Sequence, residues 1–224
     1  WAELDRIDYI NGNSYLISLS EVERRLGHPL FWLKTYGGLD PGHVHPAGIA
    51  IVSAPNKDDL WVRNAMRIQS ASSGALFAQK DIWAKAYGKR MGGKFYLEWG
   101  GDPVGLRFTR PNEHITTMPG TVCGREERAS IVNSYAVGID NLQHLYFDAD
   151  NPGVRQAFAE AKTIHRVLKH GQWGYNREAD DLMAAVENAI TMHYIKGDTK
   201  VSPRQRIWRP SARTAPVLTP RVAT

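Results

Sequence analysis

The pattern of apolar and polar residues predicts a group of β-strands in the first third of the chain. Apolar and aromatic runs lie at 31–40, 47–54 and 60–68, and short segments rich in Gly, Pro, Asn or Asp separate them. Runs of this length and composition are typical of strands. Because short turns connect the runs, we expect an antiparallel three-stranded meander.

Helical periodicity appears before and after this meander. Near the N-terminus, Ser20 can cap a short helix that Gly27 stops. Residues 72–93 have helical spacing and end in Gly-Gly, which predicts a crossover helix and then a strand parallel to its neighbour. We place the remaining elements as follows: a strand at 94–102, a loop at 103–124, a helix at 125–139, a strand at 144–148, and helices at 152–170 and 177–195.

The order of these elements predicts the fold class. Three strands, a helix, a strand, a helix, a strand and two helices form an α/β domain with a mixed β-sheet flanked by helices, and the ribonuclease H-like fold has this order. We expect an N-terminal linker segment at 1–30, a ribonuclease H-like domain at 31–197, and a basic, Pro-rich C-terminal tail at 198–224.

Composition narrows the class of protein without identifying it. The hydrophobic fraction of 42% and the charged fraction of 23% are ordinary for a globular protein. No apolar run approaches the roughly 18–20 residues that span a bilayer, and no secretion signal is visible at the start. Cys123 is the single cysteine, which excludes an internal disulfide framework and a cysteine-based zinc site.

The positive charge belongs mainly to the tail. Residues 199–224 hold six cations and no acid, and without these six the net charge of +5 becomes about −1. Net charge is therefore a weak argument for nucleic-acid binding by the body of the chain. A local basic surface is still possible, and its candidates are Lys85, Lys89, Arg90 and Lys94, or Arg107 and Arg110.

Two predicted strands end in the same way, with Gly-Gly and then an aspartate before proline. Asp40 follows the first strand and Asp102 follows the fourth. Proline stops each strand, which leaves the carboxylate at the edge of the sheet. Each aspartate alone could simply be a turn residue. If the two strands are neighbours, however, both carboxylates lie side by side.

A third acidic position opens the last predicted helix. Asp180 and Asp181 could be simple N-terminal acids that the helix dipole favours. Asp181 adjoins the apolar stripe of this helix, so we expect it, rather than Asp180, to face the sheet. Three converging carboxylates suit Mg²⁺ or Mn²⁺, and two such ions can promote phosphodiester hydrolysis.

These motifs resemble a known family. LKTYGGLDPGHVHPAGIAIV, FYLEWGGDPVG and NREADDLMAAVENAI are similar, in order and spacing, to the C-terminal nuclease domain of the large terminase subunit of tailed double-stranded DNA bacteriophages. The resemblance covers roughly residues 31–195. It implies Asp40, Asp102 and Asp181 as catalytic residues, with Asp180 as a further metal ligand, and Mg²⁺ or Mn²⁺ in a two-metal site.

The same resemblance implies a function and a setting. It implies an endonuclease that cuts concatemeric viral DNA when genome packaging starts and ends. The implied partners are double-stranded DNA, the portal protein, the small terminase subunit and an ATPase domain of the same full-length subunit, with no membrane. The implied location is the host cell cytoplasm at the procapsid, and not the mature virion. A GxxxxGK[ST] phosphate loop is absent, so the chain itself holds no ATPase motor.

Several residues depart from this pattern or add little to it. Many relatives have one more acid a helical turn later, where this chain has Ala184 or Ala185. We expect Glu98 to be a surface or structural residue and Trp99 to belong to the core. His43 and His45 are weak candidates for metal or phosphate contacts, and Lys94 and Arg107 are weak candidates for steering DNA.

Alternative functions remain open at this stage. A resolvase, integrase or transposase of the same fold would share the acids and differ in its DNA substrate. A non-catalytic portal-docking module would use the same acids only as turn and cap residues. An actin-like domain is a weaker alternative, because the rest of its phosphate-binding pattern is not evident.

Overall fold

The computed structural model describes residues 15–41, 46–56, 58–69, 73–101, 115–117, 125–137, 144–169, 172–176 and 180–196. The helices are α1 (Leu19–Leu26), α2 (Ser73–Tyr87), α3 (Arg125–Val137), α4 (Pro152–Thr163) and α5 (Asp181–Lys196). The strands are β1 (Leu16–Ile17), β2 (Lys34–Asp40), β3 (Ala47–Ala54), β4 (Leu60–Ile68), β5 (Lys89–Met91), β6 (Lys94–Tyr96), β7 (Glu98–Gly101), β8 (Ile115–Thr117), β9 (Leu145–Asp148), β10 (His165–Lys169) and β11 (Gln172–Asn176).

The main sheet has the strand order β1-β9-β4-β3-β2-β7-β8. β2, β3 and β4 form the antiparallel meander that the sequence predicts. β7 pairs parallel with β2, β8 with β7, β9 with β4 and β1 with β9. The sheet is therefore mixed. β7 is parallel to its neighbour, as the crossover argument predicts, and that neighbour is β2.

Helices cover both faces of this sheet. On one face, Leu39, Ile49, Ile51 and Trp99 pack against Leu76 and Trp83 of α2. On the other face, β3 and β4 contribute Ala50, Val52, Leu60 and Val62 to a larger cluster with α3, α4 and α5. Strand residues alternate between the two faces, which separates the two clusters. Each face of the meander is thus apolar, as expected of strands covered on both sides.

The last helix is buried around its whole circumference. All residues from Leu182 to His193 are buried, including the polar Glu187, Asn188 and Thr191. α5 lies on β2, β3, β4 and β7, and α3 and α4 pack against it. The sequence pattern predicts a helix with one apolar stripe, and this prediction is wrong for α5. No helix in the described ranges is long and apolar enough to span a membrane.

The helix caps follow local chemistry with one shift. Ser18, and not Ser20, is the N-cap of α1, because its Oγ accepts a hydrogen bond from the amide of Glu21 at 3.3 Å. Gly27 ends α1 in the left-handed region at φ 74°, as predicted. Asn151 caps α4 by accepting from the amide of Val154 at 3.1 Å. α1 packs on the sheet through Val22, which joins a cluster with Ile17 of β1.

The segment after α2 differs from the prediction. α2 ends at Tyr87, and β5 and β6 then form an antiparallel hairpin. Its turn is Gly92-Gly93, with φ of 55° and 79°. Two consecutive positive φ angles are the requirement of a tight hairpin turn, so Gly-Gly here reverses a strand pair instead of stopping a helix. The predicted strand 94–102 is consequently divided between β6 and β7.

Two further elements were not predicted. The helix expected at 152–170 ends at Thr163, and β10 and β11 form a second hairpin in place of the expected turn. Part of the expected loop 103–124 is β8, which extends the sheet beside β7. The predicted division at 1–30, 31–197 and 198–224 stays a prediction, and residues 198–224 lie outside the described residues.

Candidate metal centre

Three adjacent strands place Asp40, Gly48 and Arg67 in one row across the sheet. Gly48 of β3 is opposite Asp40 of β2 on one side and opposite Arg67 of β4 on the other. Residues directly opposite each other in antiparallel strands have side chains on the same face. Asp40 and Arg67 are therefore on the same face of the sheet, with a residue that has no side chain between them.

This row lies on the face of the sheet that α5 contacts. A Cβ on Gly48 would lie 2.2 Å from the carbonyl oxygen of Asp181, and one on Gly38 would lie 1.9 Å from that of Ala185. Real Cβ atoms do not approach a backbone oxygen so closely, so both glycines permit the backbone contact of α5 with the sheet. The first turn of α5 thus lies directly on the row that contains Asp40.

A buried side chain fixes α5 relative to β2. Asn188 donates a hydrogen bond from Nδ2 to the carbonyl oxygen of Leu39 at 2.8 Å. Leu39 is the residue before Asp40, so this bond holds the end of β2 against the helix. Asn188 is 1% exposed, and in that environment a hydrogen bond to the backbone is worth more than at the surface.

Asp180 and Asp181 have different roles at the start of α5. The carbonyl oxygen of Asp180 accepts from the amide of Ala184 at 2.7 Å, so Asp180 is at the N-cap position, and it is buried. The carboxylate of Asp181 faces Arg67, with 3.6 Å between Oδ2 and Nε. This contact turns Asp181 towards the row of Asp40 and Arg67, on the side of the helix that the sequence pattern predicts.

Glu160 completes the surroundings of Arg67, and sequence reasoning missed both residues. Glu160 of α4 accepts from the amides of Leu182 and Met183 at 2.9 and 3.0 Å, and its other carboxylate oxygen pairs with Arg67. It therefore satisfies two free amides in the first turn of α5. Burial raises the pKa of the Glu160 carboxyl, although both amides and Arg67 act in the opposite direction.

A sequence signal for Glu160 exists in retrospect. The buried positions of α4 are Val154, Ala157 and Glu160, which have the three-residue spacing of one helix face. An acid on an apolar helix face needs a partner, because an unpaired charge is costly to bury. Arg67 gave no comparable signal, since an arginine near the end of a strand is ordinary. Its importance comes from the cross-strand register alone.

The second predicted ligand lies just beyond the described residues. Gly101, the last described residue of β7, pairs with Leu39, and Asp102 follows Gly101 directly in the sequence. His43, His45 and Arg107 also lie outside the described residues. Within the described part of the chain, no three Asp, Glu, His or Cys residues are grouped closely enough to hold a metal ion.

Glu98 and Trp99 have the positions that the sequence predicts, whereas a role of Lys94 in steering DNA stays a prediction. The Glu98 side chain is 52% exposed and lies 3.9 Å from Nζ of Lys196, so Glu98 is a surface residue. Trp99 is buried in the core, where its ring lies against Gly37 at the position a Cβ would occupy. Lys94 is exposed on the β5–β6 hairpin. That hairpin follows α2, on the opposite face of the sheet from α5.

Comparison with solved structures finds large terminases of bacteriophages. The large terminase of a thermophilic bacteriophage matches with a TM-score of 0.55 and 11% identity over 83% of this chain and 43% of that chain. The complex of the same terminase with ATP-γ-S matches with a TM-score of 0.52 and 13% identity over 73% and 41%. This chain thus spans less than half the length of that protein.

A third solved structure is the g2p nuclease domain of the large terminase from bacteriophage SPP1 with bound Mn. It matches with a TM-score of 0.44 and 15% identity over 79% of this chain and 92% of that domain, a likeness too low to carry an argument. Comparison with protein-family models and with curated protein sequences finds no match. The chain therefore shares the ribonuclease H-like α/β fold of the thermophilic phage's large terminase.

Proposed function

We propose that this chain is a divalent-metal-dependent endonuclease that cleaves double-stranded DNA in viral genome packaging. The observation that carries the proposal is the convergence of Asp40 and Asp181 on one face of the sheet, at the N-terminus of α5. Acids that served only to end a strand or to favour a helix dipole would have no reason to meet there. A shared ligand for both carboxylates gives such a reason. The fold likeness to the large terminase of the thermophilic phage supports the same function.

The residues present are suited to Mg²⁺ or Mn²⁺. We propose Asp40, Asp102 and Asp181 as catalytic metal ligands, with Asp180 as an additional ligand. Carboxylate oxygens are the donors that these hard cations prefer. The pairing of Leu39 with Gly101 supports Asp102, because one more residue in the same register would set Asp102 beside Asp40. When bound, two such ions supply charge that activates water and stabilises the leaving oxygen in phosphodiester hydrolysis.

The neighbouring residues position these carboxylates. Arg67 contacts both Asp181 and Glu160 and thereby reduces the repulsion between these two acids. Glu160 anchors Arg67 and holds the first turn of α5 in place. Asn188 holds the end of β2. Such a fixed arrangement is what a metal site requires, because a site whose ligands are displaced by about 1 Å loses much of its activity.

The partners and location belong to the same proposal. We propose double-stranded DNA as substrate and an ATPase domain of the full-length subunit as the source of movement. The portal protein, in contact with the basic tail, and the small terminase subunit are the further partners. The cleavage reaction would occur in the host cell cytoplasm at the procapsid. Residues 199–224 of the basic tail have six cations and no acid, which suits an acidic protein surface or DNA.

A cleavage assay on supercoiled plasmid with Mn²⁺ or Mg²⁺ tests the catalytic part. We expect the unmodified chain to nick and linearise the plasmid, and Asp40→Asn and Asp102→Asn to lower the rate at least about 10³-fold. Asp81→Asn is the matched control, since Asp81 is an exposed acid of α2 on the other face of the sheet. Its rate should equal that of the unmodified chain.

Metal binding gives an independent measurement of the same site. Calorimetric titration with Mn²⁺ should detect binding that Asp40→Asn weakens and Asp81→Asn leaves unchanged. The proposal fails if the folded chain neither binds Mn²⁺ nor cleaves, or if Asp40→Asn cleaves at the full rate. Selective cutting of a four-way junction over linear duplex would instead indicate a resolvase of the same fold.

A further inference from the structure

A β-bulge redirects one arginine at the other end of the meander. In the pairing of β3 with β4, Ile51 is opposite Asn64 and Val52 is opposite Val62, so Arg63 is an extra residue without a cross-strand partner. A bulge bends the strand and changes the direction of the side chain it carries. Such irregularities concentrate near binding and active sites. The bulge thus singles out Arg63 within an otherwise regular meander.

The guanidinium group of Arg63 is desolvated and, among the described residues, has no carboxylate paired with it. It lies 4.3 Å from the ring centre of Trp32 and 5.2 Å from that of Tyr87. Its hydrogen bond to Oγ of Ser53 is long, at 3.4 Å, and in the described ranges its buried Nε has no hydrogen-bond partner. Burial lowers the pKa of Arg63, against the weaker influence of Tyr87, Asp148 and Glu23. A partly buried cation in this state favours an anion as ligand.

Arg63 forms part of the wall of a large groove. The groove has a volume of about 1240 Å³, and we call it the Arg63 groove, with Trp32, Lys34, Arg63, Lys89, Tyr96 and Lys196 among its lining residues. Four of the described residues that line it are cations, whereas Glu98 is the one acid among them. The volume exceeds the roughly 300–1,000 Å³ of usual small-molecule pockets. An extended anionic ligand is therefore better suited to it than a single ion.

Aromatic rings accompany these cations. Tyr96 is 38% exposed on β6, and the rings of Trp32 and Tyr87 lie against the guanidinium group. Basic side chains that follow a phosphate backbone, combined with rings on which bases stack, are the usual chemistry of single-strand binding. An arginine held against a ring is preorganised for phosphate, because little further ordering is required on binding.

We propose that the Arg63 groove binds nucleotide units of single-stranded DNA, with a phosphate at the guanidinium of Arg63 and a base against the ring of Tyr96. The groove includes Lys34, at the start of β2, whereas Asp40 ends the same strand about 20 Å away at ~3.3 Å per residue. The site is therefore separate from the carboxylates. It does not depend on the proposed nuclease function.

The test uses the whole 224-residue chain without metal, in EDTA. A short fluorescein-labelled oligothymidylate reports binding by anisotropy. We expect Lys89→Glu to weaken binding about tenfold and to lower the slope of log K against log salt by ~0.7 for each lost phosphate contact. Lys162→Glu is the matched control, because Lys162 is an exposed lysine of α4 on the other face of the sheet. Lys162→Glu should bind like the unmodified chain. Both variants keep the basic tail, so any binding by the tail contributes equally to both.

Two further measurements locate the ligand. Oligothymidylate that contains 5-iododeoxyuridine should photocrosslink to Tyr96, and mass spectrometry identifies the residue. Arg63→Gln should weaken binding as Lys89→Glu does. If Arg63→Gln does not fold, Lys89→Glu still decides the test, since Lys89 is exposed.

Competing ligands distinguish a DNA strand from other anions that could bind the same cations. Stronger competition by oligothymidylate than by thymidine monophosphate supports a strand over a free nucleotide. A duplex should compete poorly, because its bases are already stacked. Equal losses in Lys89→Glu and Lys162→Glu overturn the proposal, as do crosslinks confined to other parts of the chain. Equal competition by poly-glutamate also overturns it, in favour of an acidic peptide.

Discussion

The carbonyl oxygen of Asp181 lies 2.2 Å from the position that a Cβ on Gly48 would occupy. This contact brings the first turn of α5 onto the strand that pairs with Asp40. A glycine at this point in β3 costs stability in the strand itself. Its presence is explained by the close approach of the helix, which no other residue permits.

Gly48→Ala should therefore displace α5 from the sheet. We expect a loss of about 1–3 kcal/mol in the free energy of unfolding, as for overpacked cores. Urea denaturation measures it. Gly74→Ala is the matched control, since a Cβ on Gly74 meets no atom within 4 Å, and it should be stabilising by about 0.5–1 kcal/mol. Equal stability of the two variants would contradict the close contact.

Glu160→Ala should be more damaging than a surface substitution of the same kind. It removes the acceptor for the amides of Leu182 and Met183 and leaves Arg67 without its buried partner. Breaking a buried ion pair costs about 3–5 kcal/mol. Thermal and urea denaturation measure the loss. Glu127→Ala, on the exposed side of α3, should change stability by less than about 0.5 kcal/mol.

Asn188→Ala should weaken the attachment of α5 to β2. The variant loses the buried hydrogen bond to the carbonyl oxygen of Leu39, which costs about 1–3 kcal/mol. Ser134→Ala serves as control, because the Ser134 hydroxyl donates within its own helix, to the carbonyl oxygen of Ile131. Hydrogen exchange at the end of β2 should accelerate in Asn188→Ala and not in Ser134→Ala. Unchanged exchange in both would exclude a positioning role for Asn188.

Asp148 and Asp150 should give opposite pH dependences of stability. Burial raises the pKa of Asp148 above its ordinary 3.8, while hydrogen bonds from Ser20 and Ser18 lower that of Asp150. The stabilising contribution of Asp148 is thus present below pH 3.8 and is lost as pH rises through its folded pKa. That of Asp150 is present above pH 3.8 and is lost as pH falls through its folded pKa.

The variants Asp148→Asn and Asp150→Asn test these opposite pH dependences of stability. Relative to the unmodified chain, Asp148→Asn should become more stable as pH rises from about 3 to about 7. Asp150→Asn should become less stable over the same range. Urea midpoints at several pH values report both trends. If the relative stability of both variants changed in the same direction with pH, the opposite pKa shifts of Asp148 and Asp150 would be refuted.

Regular elements with strong local patterns were predicted well. The bounds of β3 and β4 agree with the runs at 47–54 and 60–68. β3 is buried at every position, and a strand buried on both faces requires a continuous apolar run. The C-cap at Gly27 was also evident, since capping depends on the few residues around the helix end. The parallel direction of β7 followed from the crossover helix, whereas its position beside β2 did not.

Elements whose signals are ambiguous were assigned wrongly. Gly92-Gly93 is compatible with a helix stop or a hairpin turn, and its neighbours Met91 and Lys94 fit either. The buried polar residues of α5 look like a solvent-facing side until α3 and α4 are known to cover it. Local propensity does not contain this information, because burial depends on the packing of distant segments.

For the candidate site, the sequence by itself determined the types of residue and their places at the ends of elements. Asp40 at the end of a strand and Asp181 at the start of a helix follow from glycine, proline and helical periodicity. Only the tertiary structure decided that Gly48 lies between Asp40 and Arg67 and that Glu160 supports the helix above them. The physical reason is that cross-strand register and helix-to-sheet distance depend on contacts between residues far apart in the chain.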